Sequence, residues 1–253
     1  MKKIVAIIAA LITSVSLCAQ EDNGQEFLTV VSSHEELDLS NIDLVTIPTH
    51  GPYIIANNRL IALTEDNDIQ EMAFPEGMII DDIIWTGADF IIKSGYELFA
   101  LEKVSEPLMD FDIADYDIFP IDEKRIYVVS HQNDSSSLFL ANLKVKRAKR
   151  LLTAQEKIVH VSRLGEATLV VTSRNIYMFE DKECVRYLSL WSPIQAAVMT
   201  DQGLLFATEN EICLLIGVDR FALLFEAQVK KLLYDGQYLY ILLSQGDLLR
   251  YKI

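Results

Sequence analysis

Six repetitions of one strand, turn, strand unit at a period near 40 residues predict an all-β fold: a six-bladed β-propeller of four-stranded blades, the last blade closed by an N-terminal strand. Three observations carry this expectation. A hydrophobic run, a polar turn and a second run opening on an apolar residue recur as YIIANNRLIAL from Tyr53, FIIKSGYELFAL from Phe90, IYVVSHQNDSSSLFLANL from Ile126, LVVTSRNIYMF from Leu169, LFATENEICLL from Leu204 and YILLSQGDLLRY from Tyr240. The apolar residues just after the turns, Leu60, Leu98, Leu138, Ile176, Ile212 and Leu248, fall 36 to 40 residues apart. The runs are rich in β-branched and aromatic residues, and polar turn clusters separate them every few positions.

In chain order, the first element is a leader. Lys2 and Lys3 precede an uncharged apolar stretch from Ile4 to Leu17, and small residues follow at Cys18 and Ala19, the pattern of a secretory signal peptide over residues 1–19. The stretch is shorter than the roughly 20 apolar residues a bilayer-spanning helix needs. Cys18 opens a second reading, a lipid-anchored envelope protein, against which the large Leu17 before it counts. Residues 20–26 read as a short disordered segment and 27–253 as a single propeller domain. FLTVV from Phe27 has no repeat of its own, and the sixth repeat lacks a fourth strand. The segment is therefore expected to complete that blade and remove a free edge.

IDLVTI at 42–47 then serves as the first strand of the first blade. The fourth repeat shows the unit most fully, as HVSR from His160, LVVT, IYMFE and CVRYLSL from Cys184. Second strands are the most continuously apolar, as a strand covered on both faces should be. The best helical candidate, VKRAKRLLTAQEK near residue 150, is needed by the register as a fourth strand.

About half of the residues are apolar and a quarter charged, as in an ordered globular chain. The formal charge of -15 becomes -17 once Lys2 and Lys3 leave with the first 19 residues. Such a surface repels phosphate backbones and anionic headgroups, so nucleic acid is not an expected partner. With Cys18 removed or lipidated, Cys184 and Cys213 remain, either as one disulfide in an oxidising compartment or as two separate small hydrophobes.

The segments LLFATENEICLL at 204–215 and DGQYLYILLSQGDLLRY at 235–251 resemble the repeats of bacterial extracytoplasmic propellers, the broad group of two-component-regulator and quinoprotein-like propellers. Weaker versions cover nearly all of the mature chain. The resemblance implies an extracytoplasmic bacterial protein, and the short, strongly hydrophobic leader ending SLCAQ resembles those of Gram-negative bacteria, so a periplasmic or secreted protein is expected. The repeat resemblance transfers no site: only Trp85 and Trp191 exist, and no repeat carries a residue set that would stack on a quinone. No cofactor is expected.

The chain has no Gly-x-Ser-x-Gly elbow, no His-Glu-x-x-His pair and no phosphate-cradling glycine loop. His34, His50 and His131 fall in turns, where solvated side chains are the ordinary explanation, and His160 sits on an inner strand as a structural histidine. DFDIADYD gathers Asp110, Asp112, Asp115 and Asp117, and EDND follows the same style at 65–68. Oxygen-rich loops can hold calcium, but neither run has the glycine or spacing of a calcium loop, and a solvated acidic surface explains both. KVKRAKR sets Lys144, Lys146, Arg147, Lys149 and Arg150 on an outer hairpin, as edge protection or as a docking stripe for an acidic partner.

Propeller sites are assembled from turns on one face. Here the turns between second and third strands contribute Asn58, Arg59, Lys93, His131, Asn133, Arg174, Glu209, Asn210 and Gln245. This mixed polar set suits recognition of a protein, peptide or glycan more than catalysis, which concentrates perturbed ionisable groups. The expected protein is thus an exported, monomeric, non-catalytic binding module of the cell envelope. The rival expectation is a propeller hydrolase or lyase acting on sugars or lactones at the channel mouth.

Overall fold

The computed structural model describes residues 26–27, 42–46, 53–56, 59–63, 69–75, 77–113, 115–180, 183–216, 219–225 and 227–253. Over these the chain is an all-β propeller with one single-turn 3-10 helix at Leu101–Lys103. After β1 (Glu26–Phe27) come five four-stranded blades, each built from consecutive strands. They are β2 (Ile42–Thr46), β3 (Tyr53–Ala56), β4 (Arg59–Leu63) and β5 (Ile69–Ala73); β6 (Asp82–Trp85), β7 (Phe90–Ser94), β8 (Glu97–Ala100) and β9 (Met109–Asp110); β10 (Tyr116–Asp122), β11 (Arg125–Gln132), β12 (Ser135–Asn142) and β13 (Arg147–Ala154); β14 (Ile158–Leu164), β15 (Ala167–Thr172), β16 (Asn175–Glu180) and β17 (Glu183–Ser189); and β18 (Ala196–Met199), β19 (Leu204–Ala207), β20 (Glu211–Ile216) and β21 (Asp219–Leu224). The last stretch gives only three consecutive strands, β22 (Val229–Tyr234), β23 (Tyr238–Leu243) and β24 (Leu248–Lys252).

The expected count of six blades is thereby corrected to five that are complete in their own stretch of chain. The remaining sheet is composite, in the order β1-β24-β23-β22, with Glu26 opposite Arg250 and Phe27 opposite Leu249. The partner strand begins at Glu26, and of the expected FLTVV segment only Phe27 falls within the described residues. The expected signal peptide, His34, His50, Asn58 and the acidic run at 65–68 also lie outside them. Deleting Glu26 and Phe27 unpairs part of β24. A loss of about 1–2 kcal/mol is expected, read as a lower urea midpoint; an unchanged midpoint would show that this pairing contributes nothing.

The strands divide between two compact units, one of β2–β17 and one of β1 with β18–β24. In each, apolar side chains fill the space between the faces of consecutive sheets. In the first unit, Ile55 and Leu60 meet Ile83, Phe90 and Ile92; Ile91 and Leu98 meet Tyr116, Ile118 and Val128; Tyr127, Val129 and Leu138 meet Ile158, Val161 and Val170. In the second, Leu205 and Ile212 meet Leu232, Leu239 and Ile241. Second strands therefore lose water on both faces, and Leu169, Val170 and Val171 of β15 and all four residues of β19 are buried. The near-continuous apolar runs in the sequence follow from that double cover.

Four of the turns between first and second strands share a device. Thr86 Oγ1 accepts the Asp89 N–H at 3.3 Å, Asp122 Oδ1 those of Lys124 and Arg125 at 3.0 and 2.9 Å, Thr200 Oγ1 those of Gln202 and Gly203 at 3.2 Å, and Asp235 Oδ1 those of Gln237 and Tyr238 at 2.8 and 2.6 Å. A short side-chain oxygen closes each turn by taking up donors that the strands leave unpaired. The device lies at the end of the blade away from the expected binding turns.

Candidate functional site

The hairpin turns between second and third strands begin from backbone chemistry. Gly95, in the two-residue turn from β7 to β8, has φ +58°, and Asn133, in the turn from β11 to β12, has φ +54°. Both are first positions of a tight hairpin, where glycine or asparagine bears the left-handed conformation. Asn133 is thus explained in part by the turn it makes, though its side chain is exposed.

Beside the Gly95 turn lies an open cleft of about 750 Å³. Its walls are Ile79 and Asp81 from the approach to β6, Tyr96 and Glu97 from the turn and β8, and Asp110, Phe111 and Asp112 from β9 onward. The Asp81 carboxylate accepts the Gly95 N–H at 2.6 Å, and the Phe111 N–H donates to the Tyr96 carbonyl at 2.8 Å, so the three segments are tied together. Glu97 and Asp110 stand directly opposite each other across the β8–β9 ladder. A like-charge cross-strand pair is unfavourable by itself, and a cation placed between the two relieves it. Burial raises the Tyr116 phenol behind the cleft above its ordinary range, and the charges of Asp81, Asp110, Glu97 and Asp82 raise it further. Four carboxylates thus act on this corner, with the Lys93 ammonium as the cation against the same ring. At its rim Ile79 is 73% and Tyr96 55% exposed, apolar surface next to the carboxylates.

Inward of this cleft the structure brings two expected site residues, Lys93 and His131, into one polar cluster and buries both. The Lys93 ammonium lies 4.4 Å from the centre of the Tyr116 ring, and Tyr116 Oη donates to the Glu97 carbonyl at 3.4 Å. His131 belongs to β11 rather than to a turn, a correction to the sequence expectation, and its side chain is 7% exposed. One ring nitrogen, Nε2, meets Asp117 Oδ2 at 2.8 Å, and the other, Nδ1, meets Ser136 Oγ at 2.9 Å. Burial pushes the Asp117 carboxyl up. The His131 hydrogen bond and the charges of His131, Lys157 and Lys93 outweigh it and hold the group below its ordinary value. Ser136 is 1% exposed and its hydroxyl oxygen already accepts the Ile158 N–H at 3.0 Å, so these three residues form a clip from the third blade to the fourth instead of an open nucleophile.

The other expected residues are dispersed. Arg59 is exposed at the start of β4, and Arg174, Glu209, Asn210 and Gln245 are exposed in their turns. Glu156 accepts hydrogen bonds from Thr172 and Asn175, which brace the turn carrying Arg174. Gln245 donates to Asp247 at 2.7 Å, and the Asn210 carbonyl accepts the Phe225 N–H at 2.9 Å. The acidic run is split by the fold: Asp110 and Asp112 line the cleft, Asp115 is exposed, and Asp117 turns to His131. Among the described residues no group of three or more His, Cys, Asp or Glu is placed to hold a metal ion, and Cys184 and Cys213 are free thiols, one exposed and one buried. Asp81, Glu97 and Tyr96 were not singled out by the sequence, where the only signals were an Asp-Asp pair after GMII and an aromatic next to a hairpin glycine.

No protein-family model matches the chain, and no curated protein matches it. Solved structures do. A regucalcin from Agrobacterium tumefaciens, described as a calcium-binding protein, aligns with a TM-score of 0.65 at 10% identity over 85% of this chain and 92% of that one. The fold is that of bacterial β-propellers. The extracellular domain of a one component system from B. thetaiotaomicron aligns at 0.59 and 8% identity over 84% of this chain and 33% of that one. PorZ, an essential surface component of the type-IX secretion system of Porphyromonas gingivalis, aligns at 0.54 and 13% identity over 83% and 36%. This chain thus spans about a third of the length of the last two. At such identities the likeness establishes the fold alone. It matches the architecture of extracytoplasmic propellers that the repeats resemble. Among the described residues no helix is long and apolar enough to cross a membrane.

Proposed function

We propose that this chain is an exported, non-catalytic propeller that binds a protein partner through the acidic cleft beside the β7–β8 turn, as part of a bacterial envelope assembly. The observation that carries the reading is the Glu97 and Asp110 pair, opposite each other across the β8–β9 ladder, set against exposed Tyr96 and Ile79. A lysine or arginine side chain fits both halves of that surface, its charged head between the carboxylates and its aliphatic stem along the aromatic and the isoleucine. A basic polypeptide segment is the corresponding ligand. Exposed Arg59, Asn133 and Arg174, with Asn58 beside Arg59 in sequence, are further contacts for a larger partner on this unit, and Glu209, Asn210 and Gln245 are exposed candidates on the other. The leader pattern over residues 1–19 and the likeness to a secretion-system surface component and to the extracellular domain of a one component system support export, with lipidation at Cys18 as the alternative route to the envelope.

Fluorescence anisotropy with a labelled oligolysine peptide tests the cleft. Wild-type protein should bind, and Asp110→Asn with Asp112→Asn should weaken binding by about tenfold or more, the range expected for close charge pairs. Equal affinity of the double variant would sink the proposal. The rival reading, a hydrolase or lyase of sugars or lactones, requires a divalent cation at the cleft carboxylates Asp81, Glu97, Asp110 and Asp112, which among the described residues are not arranged as a ligand group. Stoichiometric calcium in purified protein, with a melting temperature raised by calcium and lowered by EDTA, would move the assignment to that class.

A further inference from the structure

β13 is the outermost strand of the third blade: β12 occupies one edge, and among the described residues no strand occupies the other. Its first four residues, Arg147 to Arg150, are exposed, and so are Lys144 and Lys146 in the turn before it. The register with β12 sets Arg147 opposite Asn142, Lys149 opposite Leu140 and Arg150 opposite Phe139, with a bulge after Arg150. Arg147 and Lys149 therefore share one face of the strand and Arg150 takes the other. Lys146 Nζ donates to the Pro107 carbonyl at 3.3 Å, and among the described residues no carboxylate forms an ion pair with any of the five bases. Five like charges in seven residues repel one another, on a chain whose acids outnumber its bases by 37 to 22.

Protection of a free edge does not require this. β17 is likewise outermost in its blade, and it carries one acid and one base, Glu183 and Arg186, around exposed Val185. One or two charges suffice to discourage edge pairing. The surplus on β13 is an attractive field beside open backbone donors and acceptors, and the open edge accepts an extended chain as readily as the closed edge accepts β12.

We infer that β13 is a docking edge for an extended acidic polypeptide segment, which adds to the third blade as a further strand. Main-chain hydrogen bonds run along β13, and carboxylates on alternate residues of the segment meet Arg147 and Lys149 on one face and Arg150 on the other. Lys144 and Lys146 receive its overhanging end. The edge takes a ligand of opposite charge to that of the acidic cleft, so each assignment has its own probe and either can fail without the other.

The test uses the full mature chain and a labelled peptide of about eight residues, an ordinary strand length, alternating glutamate with threonine or valine. Binding should fall by roughly tenfold or more when Lys144, Lys146, Arg147, Lys149 and Arg150 are all changed to glutamine, with the melting temperature unchanged, and should weaken steeply with salt. A peptide of the same sequence N-methylated at alternate residues cannot pair and should bind at least tenfold more weakly. Asp110→Asn with Asp112→Asn should leave peptide binding as it is. Equal binding of the N-methylated peptide would overturn strand addition, leaving charge alone. An unaffected glutamine variant, or binding to anionic vesicles or a sulfated glycan without binding of the acidic peptide, would overturn the assignment as a whole.

Discussion

Replacing Gly203 with alanine lowers the stability of the protein by about 3 kcal/mol, the upper end of what overpacking and an unfavourable backbone conformation cost. Gly203 closes the turn from β18 to β19: the Thr200 N–H and Thr200 Oγ1 donate to its carbonyl at 2.8 and 2.9 Å, and its own N–H returns to Thr200. Its φ is +151°, and a Cβ there would run into the backbone carbonyl of Leu215 on β20, well inside contact distance. Backbone cannot swing aside as a side chain can, so β19 and β20 must separate or the turn must open. Urea denaturation reads the loss directly. Gly165→Ala is the control, because its Cβ meets open space and only the left-handed φ of +62° is strained, for about 1 kcal/mol. Equal losses in the two variants would refute the packing explanation. The far end of the β19–β20 hairpin carries Glu209 and Asn210, so the substitution should also disturb any contact they make.

Lowering the pH from about 6.5 to about 4 should remove up to about 3 kcal/mol of stability through His160 alone, since each unit of displacement corresponds to roughly 1.4 kcal/mol. Burial drives this imidazole down from 6.5 to about 4. Its Nε2 is buried without a hydrogen-bond partner, and its ring meets Phe119 edge-on at 5.5 Å. The sign follows from proton counts. Between the two values the unfolded chain binds the proton and the folded chain does not, so acid favours unfolding there. Below about 4 both states are protonated and the contribution levels off. Asp117, held below its ordinary value, adds a loss in the same direction at lower pH. The His160 part is therefore isolated as the difference between wild type and His160→Leu. Denaturant midpoints at pH 7 and pH 4.5 should converge on the variant's shallower slope, and parallel curves for the two proteins would refute the assignment.

Much of the blade was legible because its signals are local. The apolar run of β15 and the polar turn at Ser173 and Arg174 are neighbours in sequence, and so are the strands they connect. The same holds for the basic segment, which the register assigned to a fourth strand and the structure forms as β13. His131 was misplaced because HQNDSSS reads as one long polar turn. In the fold its first two residues extend β11, and Asn133 and Asp134 alone turn the chain. Polarity does not distinguish a solvated turn residue from one that finds partners in another strand, and Asp117, fourteen positions away, is that partner.

By itself the sequence determined an all-β repeat, the apolar second strands, the outer position of the basic segment and the acidic balance of the chain. Each depends on residue pattern within one blade or on composition. The tertiary structure decided that the last stretch holds three strands with Glu26 and Phe27 against the third, and that Lys93 and His131 are drawn inward. It also set Asp81, Glu97, Asp110 and Tyr96 around one cleft. Charges and rings act over a few ångströms of space, and the residues that share such a volume come from segments many positions apart, which only packing brings together.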